Sequence, residues 1–221
     1  MNMTPIVLLF LLMAPIAQAT DDSKYTGDKD DPTSVTSFAG MRAGTNGYGA
    51  IFQLGIKPEG SAFAHNSFLQ LKDDFETVRL RHFSLYKGTG TGVFIDAEHN
   101  NSGLFDRNRA SAGFIQIIPV NDQLRINPAI LYGKTWTTDE KVKRFGLPDT
   151  DIATLYTFVR WQIADDWFLN LVPQYTYSTN GKKIRAFEMV TQLGHNINNE
   201  TSIAINADED DDFWLTIKHS L

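Results

Sequence analysis

Apolar and polar positions alternate along most of this chain, and the alternation resumes directly after short turns of Asn and Asp. The pattern is clearest at residues 117–126 (IIPVNDQLRI), 161–171 (WQIADDWFLNL) and 193–205 (LGHNINNETSIAI). Asn and Asp tolerate the left-handed backbone that joins two neighbouring antiparallel strands in a tight turn. Because no helical periodicity separates the two arms of these stretches, each of them predicts a β-hairpin.

Strand-like segments of this kind follow one another from residue 34 to the end of the chain. Each has a weak alternation with period two, which places successive side chains on opposite faces of a sheet. Their number is about twelve, with ten as the alternative count, and an even number is typical of bacterial barrels made from one chain. The pattern therefore predicts an all-β fold, an antiparallel up-and-down transmembrane β-barrel. The segments are 34–43, 47–57, 66–73, 75–86, 91–98, 109–119, 123–136, 151–163, 166–178, 183–196, 201–207 and 212–221.

The N-terminus has the pattern of an export signal. Ile6 to Ala14 (IVLLFLLMA) are all apolar, and Ala17 and Ala19 fit the small-residue rule for cleavage. The run is too short to cross a bilayer as a helix, which needs about 20 apolar residues. We therefore predict a signal peptide at residues 1–19, cleaved before Thr20.

Charge and composition restrict the domain organisation and the kinds of partner that the sequence allows. Residues 20–33 are polar, acidic and aperiodic, which predicts a disordered leader before a barrel domain at 34–221. The net charge of -6 argues against nucleic acid as a partner. The acidic run at 208–212 lacks the glycine and the alternating spacing of a calcium loop, so it is interpreted as a solvated turn. No metal or cofactor is predicted.

The lengths of the connections assign sides to the predicted barrel. With a periplasmic N-terminus, the turns after even-numbered strands are periplasmic and should be short. Asn121-Asp122, Ala164-Asp165 and Asn198-Asn199 fit this rule, whereas the connection from Lys57 to Asn66 is long for a periplasmic turn. The long polar loop from Thr137 to Asp151 is then placed outside the cell.

Aromatic residues cluster near several predicted strand ends, which favours interfacial girdles at the two membrane surfaces. The alternative is a soluble β-sandwich with the same rings in its core. The residues are Phe83, Tyr86, Tyr132, Trp136, Tyr156, Trp161, Trp167, Tyr175, Tyr177 and Trp214.

The last segment alternates up to the final residue, with Phe213, Leu215, Ile217, His219 and Leu221 on one face. Here the chain resembles bacterial outer-membrane β-barrel proteins, whose last strand carries such a pattern, although theirs ends in an aromatic residue. In length it is similar to the small monomeric porins, including the acidic-oligosaccharide channels. The resemblance implies a bacterial outer-membrane location, contact with outer-membrane lipid, and recognition of strand 213–221 by the barrel-assembly machinery.

Five arginines fall on the more polar side of their segments. Arg or Lys facing lipid at mid-depth costs about 2–4 kcal/mol, so these side chains should face the lumen. They would attract anions there, because a guanidinium matches carboxylate or phosphate. The alternative is that they pair with interior acidic residues, such as Asp96 or Glu76 and Glu188. The candidates are Arg42, Arg79, Arg81, Arg125 and Arg160.

Together these features predict a porin-like channel for passive diffusion of small hydrophilic solutes, anions among them. A non-conducting structural or surface-interaction barrel, closed by interior salt bridges, is one alternative. A lipid-modifying enzyme using His82, Ser84, His99 or Ser102 is the other, but no G-x-S-x-G elbow or triad spacing is present. We therefore expect no catalytic residues.

Overall fold

The computed structural model describes residues 31, 33–101, 106–139, 149–180 and 183–221, and all its regular elements are strands. Within these ranges no helix has the length and apolarity needed to cross a membrane. The strands are β1 (Phe38–Gly44), β2 (Gly47–Ile56), β3 (Phe63–Lys72), β4 (Thr77–Tyr86), β5 (Thr91–Asn100), β6 (Arg107–Gln116, continued after a break as Ile118–Pro119), β7 (Leu124–Trp136), β8 (Thr150–Ala164), β9 (Trp167–Asn180), β10 (Arg185–Asn196), β11 (Thr201–Ala207) and β12 (Phe213–Ser220).

Each strand pairs antiparallel with the next, and the sheet closes on itself. β12 pairs with β1 from Phe38↔Ser220 to Gly44↔Trp214, so the first and last strands leave no open edge. Closure satisfies the backbone hydrogen bonds that an edge strand would leave unpaired. The prediction of a twelve-stranded antiparallel barrel is confirmed.

The barrel has two unlike ends. The terminal rim carries both chain ends and the connections 57–62, 87–90, 120–123, 165–166 and 197–200, while the loop rim carries the other six connections, including the long one at 137–149. The predicted Asn and Asp turns all lie at the terminal rim. The connection after β2 is shorter than predicted, because the residues from Phe63 to Asn66 are already paired in β3.

The exterior of the barrel is apolar. Outward side chains such as Phe52, Leu80, Ile95, Phe114 and Ile217 each leave at least two-fifths of their surface exposed. Exposed apolar area on this scale is unfavourable in water and favourable in a bilayer. The pattern separates the molecule from a soluble β-sandwich, in which these side chains would form the core.

One side of the interior is filled by apolar side chains near the terminal rim. Phe83, Phe94, Tyr156 and Phe158 are buried and pack on one another in stacked and edge-to-face pairs, with ring centroids 4.5–5.9 Å apart. The girdle prediction was therefore wrong for Phe83 and Tyr156, and also for Trp214, whose side chain faces the cavity. Along a strand, alternate residues face the lumen and the lipid, and these three residues occupy lumen-facing positions. Lying near a strand end does not show which of the two faces a side chain is on.

The described residues that precede β1 lie inside the barrel. Asp31, Thr33 and Ser34 are fully buried, and Val35 is 9% exposed. Asp31 and residues 33–37, named here the N-terminal strap, cross the lumen near the terminal rim before the chain enters β1. Most of the predicted disordered leader lies outside the described residues, but its described members Asp31 and Thr33 are in the lumen.

A charged residue introduced on the apolar exterior tests whether that surface faces lipid. Ile95 lies in the middle of β5 facing outward, so Ile95→Arg is expected to lower the unfolding free energy in phospholipid vesicles by about 2–4 kcal/mol. Thr91→Arg, on the same face at the terminal rim, should cost about 0–1 kcal/mol. Denaturant titration of both variants measures the difference, and equal small effects would argue against a lipid-facing belt.

Candidate functional site

The interior of the barrel carries a cluster of charges on neighbouring strands. Arg79 and Arg81 alternate with the outward Val78 and Leu80 on β4, so both guanidinium groups point inward. In register with them, Arg79 pairs with Glu98 and Arg81 pairs with Asp96 on β5. This register places opposite charges side by side in the lumen.

Asp96 is the centre of this cluster. Its carboxylate is fully buried and accepts two hydrogen bonds from Arg79, at 2.9 Å from Nε and 2.7 Å from Nη2. The Tyr156 hydroxyl donates to Asp96 at 2.5 Å and accepts from Arg79 at 2.7 Å. Arg81 and Arg109 each approach the same carboxylate to 3.6 Å. Three cations therefore share one buried anion.

Glu98 and Glu188 extend the cluster across the lumen. Glu98 lies 3.6 Å from both Arg79 and Arg109 and 3.7 Å from Lys72. Arg109 also reaches Glu188 on β10 at 3.7 Å. The ion cluster is thus Lys72, Arg79, Arg81, Asp96, Glu98, Arg109 and Glu188, in which cations outnumber carboxylates.

A row of uncharged polar side chains crosses the wall formed by β9 to β12. Asn170 donates to Gln192 at 2.8 Å, Gln192 donates to Asn206 at 2.8 Å, and Asn206 donates to Thr216 at 3.0 Å. This amide row runs across four strands, because residues of matching parity lie in register on neighbouring strands. It presents a continuous line of hydrogen-bonding groups to the lumen.

A cavity of about 270 Å³ lies between these two walls. It is lined at the loop rim by Trp214 and Asp212 and extends inward to Phe38 and Gln53. Ion-cluster cations line one side, and the amide row lines the other. The cavity therefore offers charged and neutral hydrogen-bonding partners to the same occupant.

Two further cations line the cavity and stack on aromatic rings. The Arg42 guanidinium lies 4.4 Å from the ring centroid of Trp214, and the Lys218 ammonium lies 5.1 Å from that of Phe38. Ring faces attract cations without neutralising them. The two rings therefore help to hold these cations against the wall of the cavity.

All five arginines proposed from the sequence face the interior, but they do not form one group. Arg42, Arg79 and Arg81 line the cavity. Arg125 pairs with Asp31 of the N-terminal strap, and Arg160 stacks on Phe168 at 4.0 Å. The last two lie closer to the terminal rim, away from the cavity lining.

Sequence reasoning missed Arg109 and the amide row. Arg109 was passed over because apolar residues occupy both faces of the segment 109–119. The signal available for it was the pair Asp96 and Glu98, two apart on the preceding strand, which calls for cations on both neighbours. Amides such as Asn206 carry no charge, so neither hydropathy nor charge distinguishes them from ordinary polar positions.

The loop rim is acidic, and one of its carboxylates holds a loop. Asp106 accepts hydrogen bonds from Thr137, from the hydroxyl and amide of Thr138, and from the amide of Asp139. These bonds favour the ionised form, so the pKa of Asp106 lies well below its usual range, mainly through Thr138. The carboxylate thereby anchors the start of the long loop.

The sequence alternative of a lipid-modifying enzyme rested on His82, Ser84, His99 and Ser102. The His82 ring lies on the outward face and is hydrogen-bonded to Ser67 at 2.9 Å rather than to Ser84. His99 is bonded to Asn108 at 2.9 Å, and Ser102 lies outside the described residues. In the described part of the chain, no group of three or more His, Asp or Glu is arranged to hold a metal ion.

Comparisons with known proteins show the fold. No family model and no curated protein matches the sequence. The solved structure of the NanC porin superposes with a TM-score of 0.56 at 12% identity, covering 84% of this chain and 98% of that one. The KdgM porin superposes with a TM-score of 0.51 at 9% identity, covering 85% and 99%, both alone and in complex with disordered oligogalacturonate. The chain therefore has the barrel fold of these small porins over nearly their whole length.

Proposed function

We propose that this protein is an outer-membrane channel through which small hydrophilic anions, and sugar acids in particular, diffuse passively. The observation that carries the proposal is the cavity between the ion cluster and the amide row. A solute with both carboxylate and hydroxyl groups finds a partner for each on opposite walls. No covalent step is required.

The excess of positive charge in the interior gives the channel its preference. The carboxylates Asp73, Asp208, Glu209 and Asp212 line the mouth of the cavity at the loop rim. Deeper in the lumen, cations facing the interior outnumber carboxylates, so an anion that has passed the mouth is attracted on balance. The deeper interior cations are Arg79, Arg81, Arg109, Arg125, Arg160 and Lys218, against Asp31, Asp96, Glu98 and Glu188, while Arg42 and Lys72 lie beside the acidic mouth.

The amide row supplies hydrogen-bonding partners for hydroxyl groups, which a channel for simple ions would not need. Side-chain amides both donate and accept hydrogen bonds, as sugar hydroxyls do. A row of them across four strands lets a solute exchange one partner for the next with little loss of hydrogen bonding. A solute rich in hydroxyl groups therefore moves along this wall more easily than an apolar solute of equal size.

The structural neighbours support the same solute class. NanC and KdgM are porins, and KdgM was solved with oligogalacturonate, an acidic sugar polymer. The apolar exterior supports insertion in lipid. We also propose cleavage of the signal peptide before Thr20, location in the bacterial outer membrane, and assembly through strand 213–221.

One observation favours the second candidate, a barrel that does not conduct. Salt bridges, stacked aromatic rings and the N-terminal strap together occupy much of the lumen below the cavity. If they never move, the protein is a structural or surface-interaction barrel whose long connection at 137–149 is the contact surface.

Solute uptake distinguishes the two candidates. Liposomes containing the folded protein are expected to swell in isosmotic sugar acid faster than liposomes without protein. They should also swell faster in the sugar acid than in a neutral sugar of equal size. If the liposomes swell no faster than protein-free liposomes in either solute, the protein is a non-conducting barrel.

A further inference from the structure

The N-terminal strap joins opposite walls of the barrel at the terminal rim. Asp31 and Thr33 contact Arg125 and Asn127 on β7, while the strap continues directly into β1. In a ring of twelve strands, β7 lies opposite β1. The strap therefore crosses the full width of the lumen.

Side chains of β2 and β3 hold the other half of the strap. The Gln53 amide donates to the carbonyls of Ser34 at 3.0 Å and Thr36 at 3.1 Å, and Asn66 donates to Ser34 at 3.0 Å. The strap also packs directly on Gly55, where an added Cβ would lie 2.7 Å from backbone atoms of Val35 and Thr36. The absence of a side chain at Gly55 is thus what makes room for the strap.

The contact with β7 has the chemistry of a bound anion. The Asp31 carboxylate is fully buried and pairs with the Arg125 guanidinium, and it also accepts from the Thr33 hydroxyl at 2.6 Å. Asn127 donates to Thr33 at 3.0 Å. A carboxylate of the chain itself therefore occupies a cationic position on the route out of the lumen.

We propose that the N-terminal strap is a gate, and that Arg125 and Asn127 form an exit site for anionic solutes that Asp31 occupies in the closed state. The proposal rests on the channel function above. A solute carboxylate that reaches Arg125 competes with Asp31 for the guanidinium. When the solute displaces Asp31, the strap leaves the lumen. Solute and strap thus exclude each other from one site.

The strap is held by polar contacts that are incompletely satisfied. Among the described residues, the buried Gln53 Oε1 and Asn127 Oδ1 atoms have no hydrogen-bond partner. Unsatisfied buried acceptors offset part of the stabilisation that the other bonds give. Val35 is the one aliphatic side chain among the described strap residues. A segment held in this way can open locally while the barrel stays folded.

The test fills the space at Gly55 that the strap occupies. Gly55→Val is expected to expel it and raise planar-bilayer conductance severalfold, whereas Ala50→Val, on the outward face of the same strand, should conduct as wild type. The chain has no cysteine, so Val35→Cys labelling by a water-soluble thiol reagent reports the strap directly without removing one of its polar contacts. Combining it with Gly55→Val should raise the labelling rate by about tenfold or more. A cysteine at the exposed Glu59 should label equally in both backgrounds.

A second variant guards against misfolding. Asp31→Asn keeps the size of the side chain but removes the negative charge beside Arg125, and it should raise both the conductance and the labelling rate to a smaller extent. If labelling of Val35→Cys is accelerated but conductance is equal in all variants, the strap is not a gate, although the channel proposal is unaffected. Rapid labelling of Val35→Cys in the otherwise wild-type protein would also contradict the gate. Folded Gly55→Val protein with no conductance would remove the channel and the gate together.

Discussion

Asp96→Ala is expected to lower the free energy of unfolding by about 3–5 kcal/mol, because it leaves buried cations without their shared anion. Asp96 accepts two hydrogen bonds from Arg79 and one from Tyr156, and Arg81 and Arg109 approach it to 3.6 Å. Denaturant titration of the refolded protein, followed by tryptophan fluorescence and by the folded band on gels, measures the change.

The matched control is an ion pair in solvent. Asp149 pairs with Lys134 at 3.4 Å, and both side chains are half exposed. Water screens such a pair, so Asp149→Ala should change the unfolding free energy by about 0–1 kcal/mol. A loss for Asp96→Ala as small as for Asp149→Ala would contradict the view that the ion cluster is a buried, mutually dependent unit.

The combined change Arg42→Gln and Lys218→Gln is expected to lower the permeability ratio of anion to cation by about fivefold or more. Each cation lines the cavity, and a unit charge about 8 Å from a permeating ion contributes about 0.5 kcal/mol even at the dielectric of water. Reversal potentials in a salt gradient give the permeability ratio of anion to cation. Neither residue belongs to the ion cluster, so the barrel should remain folded.

The control for selectivity removes the same charge from the exterior. Lys134 and Arg185 lie on outward positions near the loop rim. Lys134→Gln with Arg185→Gln should leave the permeability ratio near that of wild type, because solvent screens charges outside the lumen. Equal effects of both double variants would mean that selectivity arises from overall charge and not from the cavity.

The fold could be predicted from the sequence because the geometry of a barrel determines local residue patterns. Period-two alternation marks the faces of each strand, and Asn and Asp pairs such as Asn121-Asp122 and Asn198-Asn199 mark the tight turns. The alternating run that ends at Leu221 marks a strand, and an even number of strands makes that strand antiparallel to β1, as the observed pairing requires. These features act between near neighbours, so a single sequence carries them.

The site was harder to predict because its partners come from distant strands. Parity alone turned Arg79 and Arg81 inward, but it could not say that Tyr156 and Arg109 would meet them at Asp96. Chain order gave no sign that Asp31, in an acidic and aperiodic leader, would cross the lumen to Arg125. That contact depends on the missing side chain at Gly55, which in the sequence looks like any other strand glycine.

The ion selectivity of single channels tests the central claim most directly. Wild-type protein and the Gly55→Val variant should be reconstituted in planar bilayers and measured in a salt gradient. We expect discrete conductance steps with reversal potentials on the anion-selective side in both proteins, with longer open times in Gly55→Val. Folded protein that gives no steps in either form, or steps that favour cations, would contradict the account.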